Sequence, residues 1–176
     1  MANWITHTRI VDVLLAMGLE VDAKGFCIGN IAPDCNIENE DWSAYVPSRE
    51  ITHFMNADTS DPESFYTQYI KDKHYLSQEH YSFLLGYYSH LITDIQYHEG
   101  FTRDPKRLQA CYDRIKADPE MAKKLQGLPE TIETLKEVFG KWNIFGDIIE
   151  LENQYIQEHP ECVYNTLLQN TKTIPD

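Results

Sequence analysis

The chain has 176 residues, of which 15 are lysine or arginine and 28 are aspartate or glutamate, so its formal net charge is -13. A chain of this length buries a substantial core without disulfide or metal support, and we therefore predict one domain, residues 1–176. The negative charge repels phosphate backbones and anionic surfaces, which argues against a nucleic-acid partner. The longest apolar runs fall short of the ~20 residues that cross a bilayer, which argues against stable membrane insertion.

The spacing of the cysteines and the N-terminal residues indicate the cellular compartment of the protein. Four cysteines are scattered without a CxxC pair: Cys27, Cys35, Cys111 and Cys162. This spacing indicates neither a thiolate zinc site nor a dense disulfide framework, and it predicts reduced thiols. His7, Arg9 and Asp12 interrupt the N-terminal stretch where a signal peptide would be apolar. We therefore expect a cytoplasmic protein.

Hydrophobic residues recur at helical spacing almost throughout the chain, and strand signals are nearly absent. The first helix begins near Trp4 and ends near Gly18. Residues 25–47 are predicted to form a long connection, a feature that is usually functional or mobile in a compact domain. A short helix is predicted to follow Ser48.

Further helices complete the predicted fold. One runs from about Asp61 to Lys73, and a long central helix runs from about Ser77 to Glu99. Proline is favoured in the first turn of a helix, so four prolines predict four more helix starts: Pro105, Pro119, Pro129 and Pro160. The sequence therefore predicts an all-α fold, a single multi-helix domain of about eight helices without internal repeats.

His90 and Asp94 lie four residues apart in the apolar central helix. This spacing places an imidazole and a carboxylate on one helix face, where both can reach one ion. His98, four residues further on, extends the same face. Inside an apolar helix such groups are costly to desolvate unless they are paired, and a divalent metal suits both residue types. The pattern predicts a metal site.

Three other potential ligands lie beside apolar residues: His7 in the first helix, Asp34 after Pro33, and His53. Proline has a fixed φ, so Pro33 would hold the Asp34 carboxylate in one direction. Nitrogen and oxygen ligands of this kind suit Zn²⁺, and Mn²⁺, Fe²⁺ or Ni²⁺ are alternatives.

Four motifs follow one another within residues 4–94: Trp4-x-x-His7, Gly29-Asn-Ile-Ala-Pro-Asp34, Thr52-His53-Phe54 and Leu85-Gly-Tyr-Tyr-Ser-His90-x-x-x-Asp94. In this order they resemble the zinc-dependent phospholipase C family, to which certain single-strand nucleases are related. The resemblance implies an all-α domain that binds up to three zinc ions and hydrolyses phosphate esters. It also implies that Asp34, His53, His90 and Asp94 hold one ion, and that Asp94 bridges to a second ion bound by His7.

The sequence departs from the family pattern in three places. Three residues precede Trp4, whereas classical members begin with a tryptophan that binds zinc through its own amino group. Gly100 stands where the family has a further histidine, and no later His-x-x-x-Glu pair occurs. We therefore expect one or two zinc ions rather than three. A rebuilt third site would need substitute ligands, for which the candidates are His98, Asp147, Glu150 and Glu152.

These observations predict a metal-dependent phosphoric ester hydrolase, a phospholipase C-like phosphodiesterase or phosphatase that uses a metal-activated water. Its substrate would be a small phosphoester or a phospholipid. Asp34 is the candidate catalytic residue, because by analogy with the family it could orient or deprotonate the water. No GxSxG motif or convincing Cys/His pair occurs in the sequence, which makes covalent catalysis the weaker hypothesis.

Two alternative functions are open from the sequence. The first is a catalytically inactive helical domain that binds metal or a partner. The second is an HD-type phosphohydrolase, which is also all-α, but that family needs an adjacent His-Asp pair and no His-Asp dipeptide occurs in this sequence.

Overall fold

The computed structural model describes residues 3–39, 44–56, 59–74, 76–102, 104–139 and 146–168. The α-helices in these residues are α1 (Trp4–Ala16), α2 (Ala23–Ile31), α3 (Arg49–Thr52), α4 (Pro62–Tyr69), α5 (Gln78–Tyr97), α6 (Pro105–Lys116), α7 (Pro119–Leu125), α8 (Ile132–Phe139) and α9 (Gly146–Glu158). A 3-10 helix, Ala32–Asp34, directly follows α2, and π-helical turns occupy His98–Thr102 and Tyr164–Leu168. The predicted all-α class is confirmed.

Two short antiparallel hairpins accompany the helices. Strand β1 (Ile37–Glu38) pairs with β2 (Tyr45–Val46), and β3 (Met55–Asn56) pairs with β4 (Thr59–Ser60). Each strand has two residues, so neither hairpin supplies a sheet face that could carry a hydrophobic core.

Helix α2 overlaps the connection that the sequence predicts, so that prediction is wrong for residues 25–31. Asp22 begins the helix, because its Oδ1 accepts a hydrogen bond from the Gly25 backbone N–H at 2.6 Å. Gly25 and Gly29 lower the intrinsic helix propensity of this segment. Tertiary packing outweighs this low propensity, because Gly29 of α2 lies against the backbone of Phe83 in α5.

Most of the predicted helix starts agree with the structure. Helices α4, α6 and α7 begin at Pro62, Pro105 and Pro119, each behind a capping aspartate. Helix α8 begins three residues after Pro129, because the Thr131 hydroxyl accepts a hydrogen bond from the Thr134 N–H. No α-helix begins at Pro160 in the described residues; a π-helical turn starts at Tyr164 instead.

The chain divides into two compact units. The first comprises Met1–Ile95 and Ile156–Asp176, and the second comprises Gln96–Tyr155. The single domain expected for residues 1–176 stays a prediction.

The core of the first unit consists of two hydrophobic clusters. One contains Val11, Phe26, Cys27 and Val163. A hydrogen bond of 2.9 Å from the Val163 N–H to Asp12 Oδ1 connects the C-terminal segment to α1 beside this cluster. The other contains Phe65, Ile70 and Leu91. Leu91 belongs to α5, and the two clusters together hold α1, α2 and α5 in place.

The second unit has its own core. Its buried members are Cys111, Tyr112, Ile115, Leu125, Ile132 and Leu135. The Tyr112 hydroxyl is satisfied within this core, because it lies 3.1 Å from the Pro129 carbonyl oxygen and 3.0 Å from that of Thr131.

Helices α2 and α5 approach each other backbone to backbone at two glycines. A Cβ atom on Gly29 would lie 1.9 Å from the Phe83 carbonyl oxygen, and one on Gly86 would lie 2.0 Å from the Phe26 carbonyl oxygen. Real Cβ atoms do not approach this closely, so any other residue at either position would push the helices apart. The contact brings the end of α2 beside the middle of α5.

Gly86→Ala should therefore lower the free energy of unfolding by at least ~2 kcal/mol, the cost of forcing a methyl group into backbone. Urea unfolding of the chelator-treated protein measures this quantity without a contribution from bound ions. Gly100→Ala is the matched control, because nothing lies within 4 Å of the new Cβ there. Equal stability of the two variants would contradict the packing argument.

Candidate metal centre

The orientation of His90 is fixed by helix α2. Its Nδ1 lies 2.7 Å from the Asn30 carbonyl oxygen. A carbonyl oxygen can only accept, so Nδ1 carries the proton and Nε2 keeps its lone pair. The side chain is 0% exposed, and burial, followed by the neighbouring His7, lowers the pKa of His90 to about 3. His90 is therefore a neutral imidazole whose Nε2 is available as a metal ligand.

His7 on α1 stacks against His90. The two ring centroids are 3.9 Å apart and the ring planes differ by 9°. His7 is fully buried, and neither of its ring nitrogens has a hydrogen-bond partner among the described residues. Its Nε2 lies 3.5 Å from Asp94 Oδ1. A buried polar nitrogen without a partner is costly, and a bound ion would remove that cost.

Asp34 and His53 come from the segments between α2 and α4. Asp34 follows Pro33 and is the last residue of the 3-10 helix. His53 directly follows α3. His53 Nε2 lies 3.2 Å from Asp34 Oδ1 and 3.3 Å from His90 Nε2. Burial would raise the pKa of Asp34, but the hydrogen bond with His53 and the three nearby imidazoles hold it below its usual value. Asp34 is therefore ionised at neutral pH.

Asp94 lies at the centre of the arrangement, one helical turn after His90. Its Oδ1 faces His7, and its Oδ2 lies 3.5 Å from His53 Nε2 and 3.9 Å from His90 Nε2. The carboxylate is 7% exposed. The structure thus brings five predicted site residues together, which we call the His-Asp cluster: His7, Asp34, His53, His90 and Asp94.

Two groups of potential metal ligands lie within the His-Asp cluster. One contains His7, His90 and Asp94, and the other contains Asp34, His53 and His90; within each group the ligand atoms lie within 4.8 Å of one another. Three imidazoles and two carboxylates form a donor set that zinc accepts. The unpartnered nitrogens of His7 and the facing Nε2 atoms of His53 and His90 fit a bound cation.

Four further residues are candidates from the sequence: His98, Asp147, Glu150 and Glu152. His98 begins the π-helical turn in the second unit, and neither group of potential ligands includes it. Glu150 is exposed and Glu152 is buried, and neither belongs to a group found among the described residues. The side chain of Asp147 lies outside the described residues. Ligand roles for these four residues stay predictions.

Sequence reasoning missed Arg49. Its Nη2 lies 3.2 Å from Asp94 Oδ2, so a cationic side chain contacts the His-Asp cluster. The sequence gives only a weak signal, because the four-residue spacing of Arg49 and His53 predicts a shared helix face but not the contact with Asp94.

The zinc dependent phospholipase C family matches residues 5–160 of the chain. The match covers most of the sequence, so the chain belongs to this family. No curated protein and no solved structure shows significant similarity to it.

Family membership and the His-Asp cluster together support a metal-dependent, phospholipase-like hydrolase that uses zinc. Among the described helices, none has the length and hydropathy needed to cross a membrane.

Zinc added to the metal-free protein should raise its thermal unfolding midpoint. An ion that binds only the native state stabilises it by about 2.7 kcal/mol at a free concentration one hundred times its Kd. Mg²⁺ should produce a smaller shift, because it prefers oxygen ligands to imidazole. Circular dichroism melting curves report both shifts.

The double variant His53→Ala/His90→Ala should lose the zinc-dependent shift, whereas His80→Ala, a change at an exposed histidine, should retain it. A full shift in the double variant would show that zinc stabilises the protein from another place.

Proposed function

We propose that the protein is a metal-dependent phosphoric ester hydrolase, a phospholipase C-like phosphodiesterase or phosphatase. The observation that carries this proposal is the convergence of three imidazoles and two carboxylates inside the first unit. Membership of the zinc dependent phospholipase C family supports the same reaction class.

The protonation of His90 restricts how the His-Asp cluster could hold ions. Only Nε2 of His90 has a free lone pair, because Nδ1 donates to Asn30, so His90 can serve only one of the two ligand groups at a time. We assign His90 with Asp34, His53 and Asp94 to a first zinc ion. Asp94 would bridge to a second ion that His7 also binds. A second ion would have fewer protein ligands and would be the more weakly held.

When bound, zinc supplies a nucleophilic water near neutral pH and positive charge toward the phosphate oxygens. The residues of the chain would position the water and the phosphate ester for the reaction. Asp34 is ionised and 14% exposed, so its carboxylate can accept a hydrogen bond from a water that enters from solvent. We assign Asp34 the catalytic role of orienting this water and receiving its proton.

The substrate would be a small phosphoester or a phospholipid. A net charge of -13 disfavours a long polyanion, and so it supports a compact phosphate ester over a nucleic acid. All four cysteines are unpaired in the structure, which is consistent with our assignment to the reducing cytoplasm.

Asp94→Asn should abolish both zinc uptake and turnover, because Asp94 contacts every histidine of the His-Asp cluster. Loss of an outer-shell partner alone costs roughly tenfold to a hundredfold, so loss of a bridging carboxylate should exceed a hundredfold. Elemental analysis measures the zinc content, and release of p-nitrophenol from mono- and bis-p-nitrophenyl phosphate measures turnover.

Asp113→Asn is the control, because Asp113 is an exposed residue of α6 in the second unit. It should keep wild-type zinc content and activity. Zinc-loaded wild type that hydrolyses no ester in a broad panel of phosphomonoesters, phosphodiesters and phospholipids would favour the inactive metal-binding domain instead.

A further inference from the structure

Arg49 and His53 lie on the same face of one helical turn. The His53 backbone N–H donates to the Arg49 carbonyl oxygen at 2.8 Å, which closes the turn formed by α3. Side chains four residues apart in such a turn project in similar directions. The turn that brings His53 into the His-Asp cluster therefore brings Arg49 to it as well.

The guanidinium of Arg49 contacts Asp94 and is more exposed to solvent than the carboxylate. Its Nη2 donates to Asp94 Oδ2 at 3.2 Å, and the same oxygen lies 3.5 Å from His53 Nε2. The Arg49 side chain is 32% exposed, whereas that of Asp94 is 7% exposed. An anion that reaches the His-Asp cluster from solvent would therefore find the guanidinium accessible.

The chemistry of the guanidinium suits a phosphate. It has five N–H donors in a planar fork, and the contact with Asp94 uses one end of that fork. Guanidinium groups form strong, often bidentate hydrogen bonds with phosphate oxygens, and they keep their charge at any physiological pH. In a chain with a net charge of -13, the fixed positive charge of Arg49 beside Asp94 provides local attraction for a phosphate.

We propose that Arg49 is a specificity-determining residue that donates a hydrogen bond to a phosphate oxygen of the substrate while it holds Asp94. The inference rests on the proposed phosphoester hydrolase function. It restricts the substrates to esters whose phosphate has an anionic oxygen free to face Arg49, as phosphomonoesters and phosphodiesters do. A neutral phosphotriester would gain less from this residue, because its phosphoryl oxygen carries no formal charge.

Calorimetric titration of the zinc-loaded protein with inorganic phosphate tests the inference without turnover. Arg49→Gln should raise the Kd for phosphate roughly tenfold to a hundredfold, as expected for the loss of one charge-assisted hydrogen bond. Arg49→Lys should lie between wild type and Arg49→Gln, because it keeps the charge but loses the fork. Arg114→Gln, the same change at an exposed arginine of α6, should leave the Kd unchanged.

Zinc content, measured in each sample, separates phosphate binding from a purely structural role. If both Arg49 variants lose zinc but bind phosphate like wild type once refilled, Arg49 only holds Asp94 and the proposal is overturned. Wild-type phosphate affinity in a fully loaded Arg49→Gln variant overturns it as well. Wild type that binds no phosphate also overturns it, and the hydrolysis assay on wild type then reports separately on the proposed function.

Discussion

The hydrogen bond from His90 Nδ1 to the Asn30 carbonyl oxygen links the fold to the candidate site. It exists because Gly29 and Gly86 allow α2 and α5 to meet backbone to backbone, which brings the end of one helix beside the middle of the other. The bond fixes both the orientation of the imidazole and the nitrogen that carries the proton. The lone pair on Nε2 then faces His53 and the two carboxylates, so a packing contact between helices determines the chemical character of the His-Asp cluster.

The parts of this arrangement that depend on local spacing could be predicted from the sequence. His90 and Asp94 are one helical turn apart in an apolar segment, so their shared face follows from helix geometry alone. The capping aspartates before Pro62, Pro105 and Pro119 likewise marked helix starts correctly. The inclusion of His7, Asp34 and His53 depended on a resemblance to a family, because no local rule brings three distant segments together. Family membership is confirmed, and the ligand roles of these residues stay a proposal.

The parts that depend on tertiary contact could not be predicted. Glycines that indicate a connection by their local preference instead serve close helix packing, which is why the predicted connection is wrong for residues 25–31. Arg49 was missed because an arginine on a short helix is usually solvated, and only the folded chain places its guanidinium against Asp94. The same contact places a positive charge at the His-Asp cluster of a chain whose net charge is -13.

We propose that the Nε2 atom of His90, whose lone pair is fixed by Asn30, binds zinc together with Asp34 and His53. A crystal structure of the zinc-loaded protein, with anomalous scattering measured at the zinc edge, would show this coordination. We expect an anomalous peak about 2.0–2.2 Å from His90 Nε2, at a similar distance from His53 Nε2 and an Asp34 oxygen. A zinc ion bound elsewhere, with Nε2 of His90 outside its coordination sphere, would contradict this proposal.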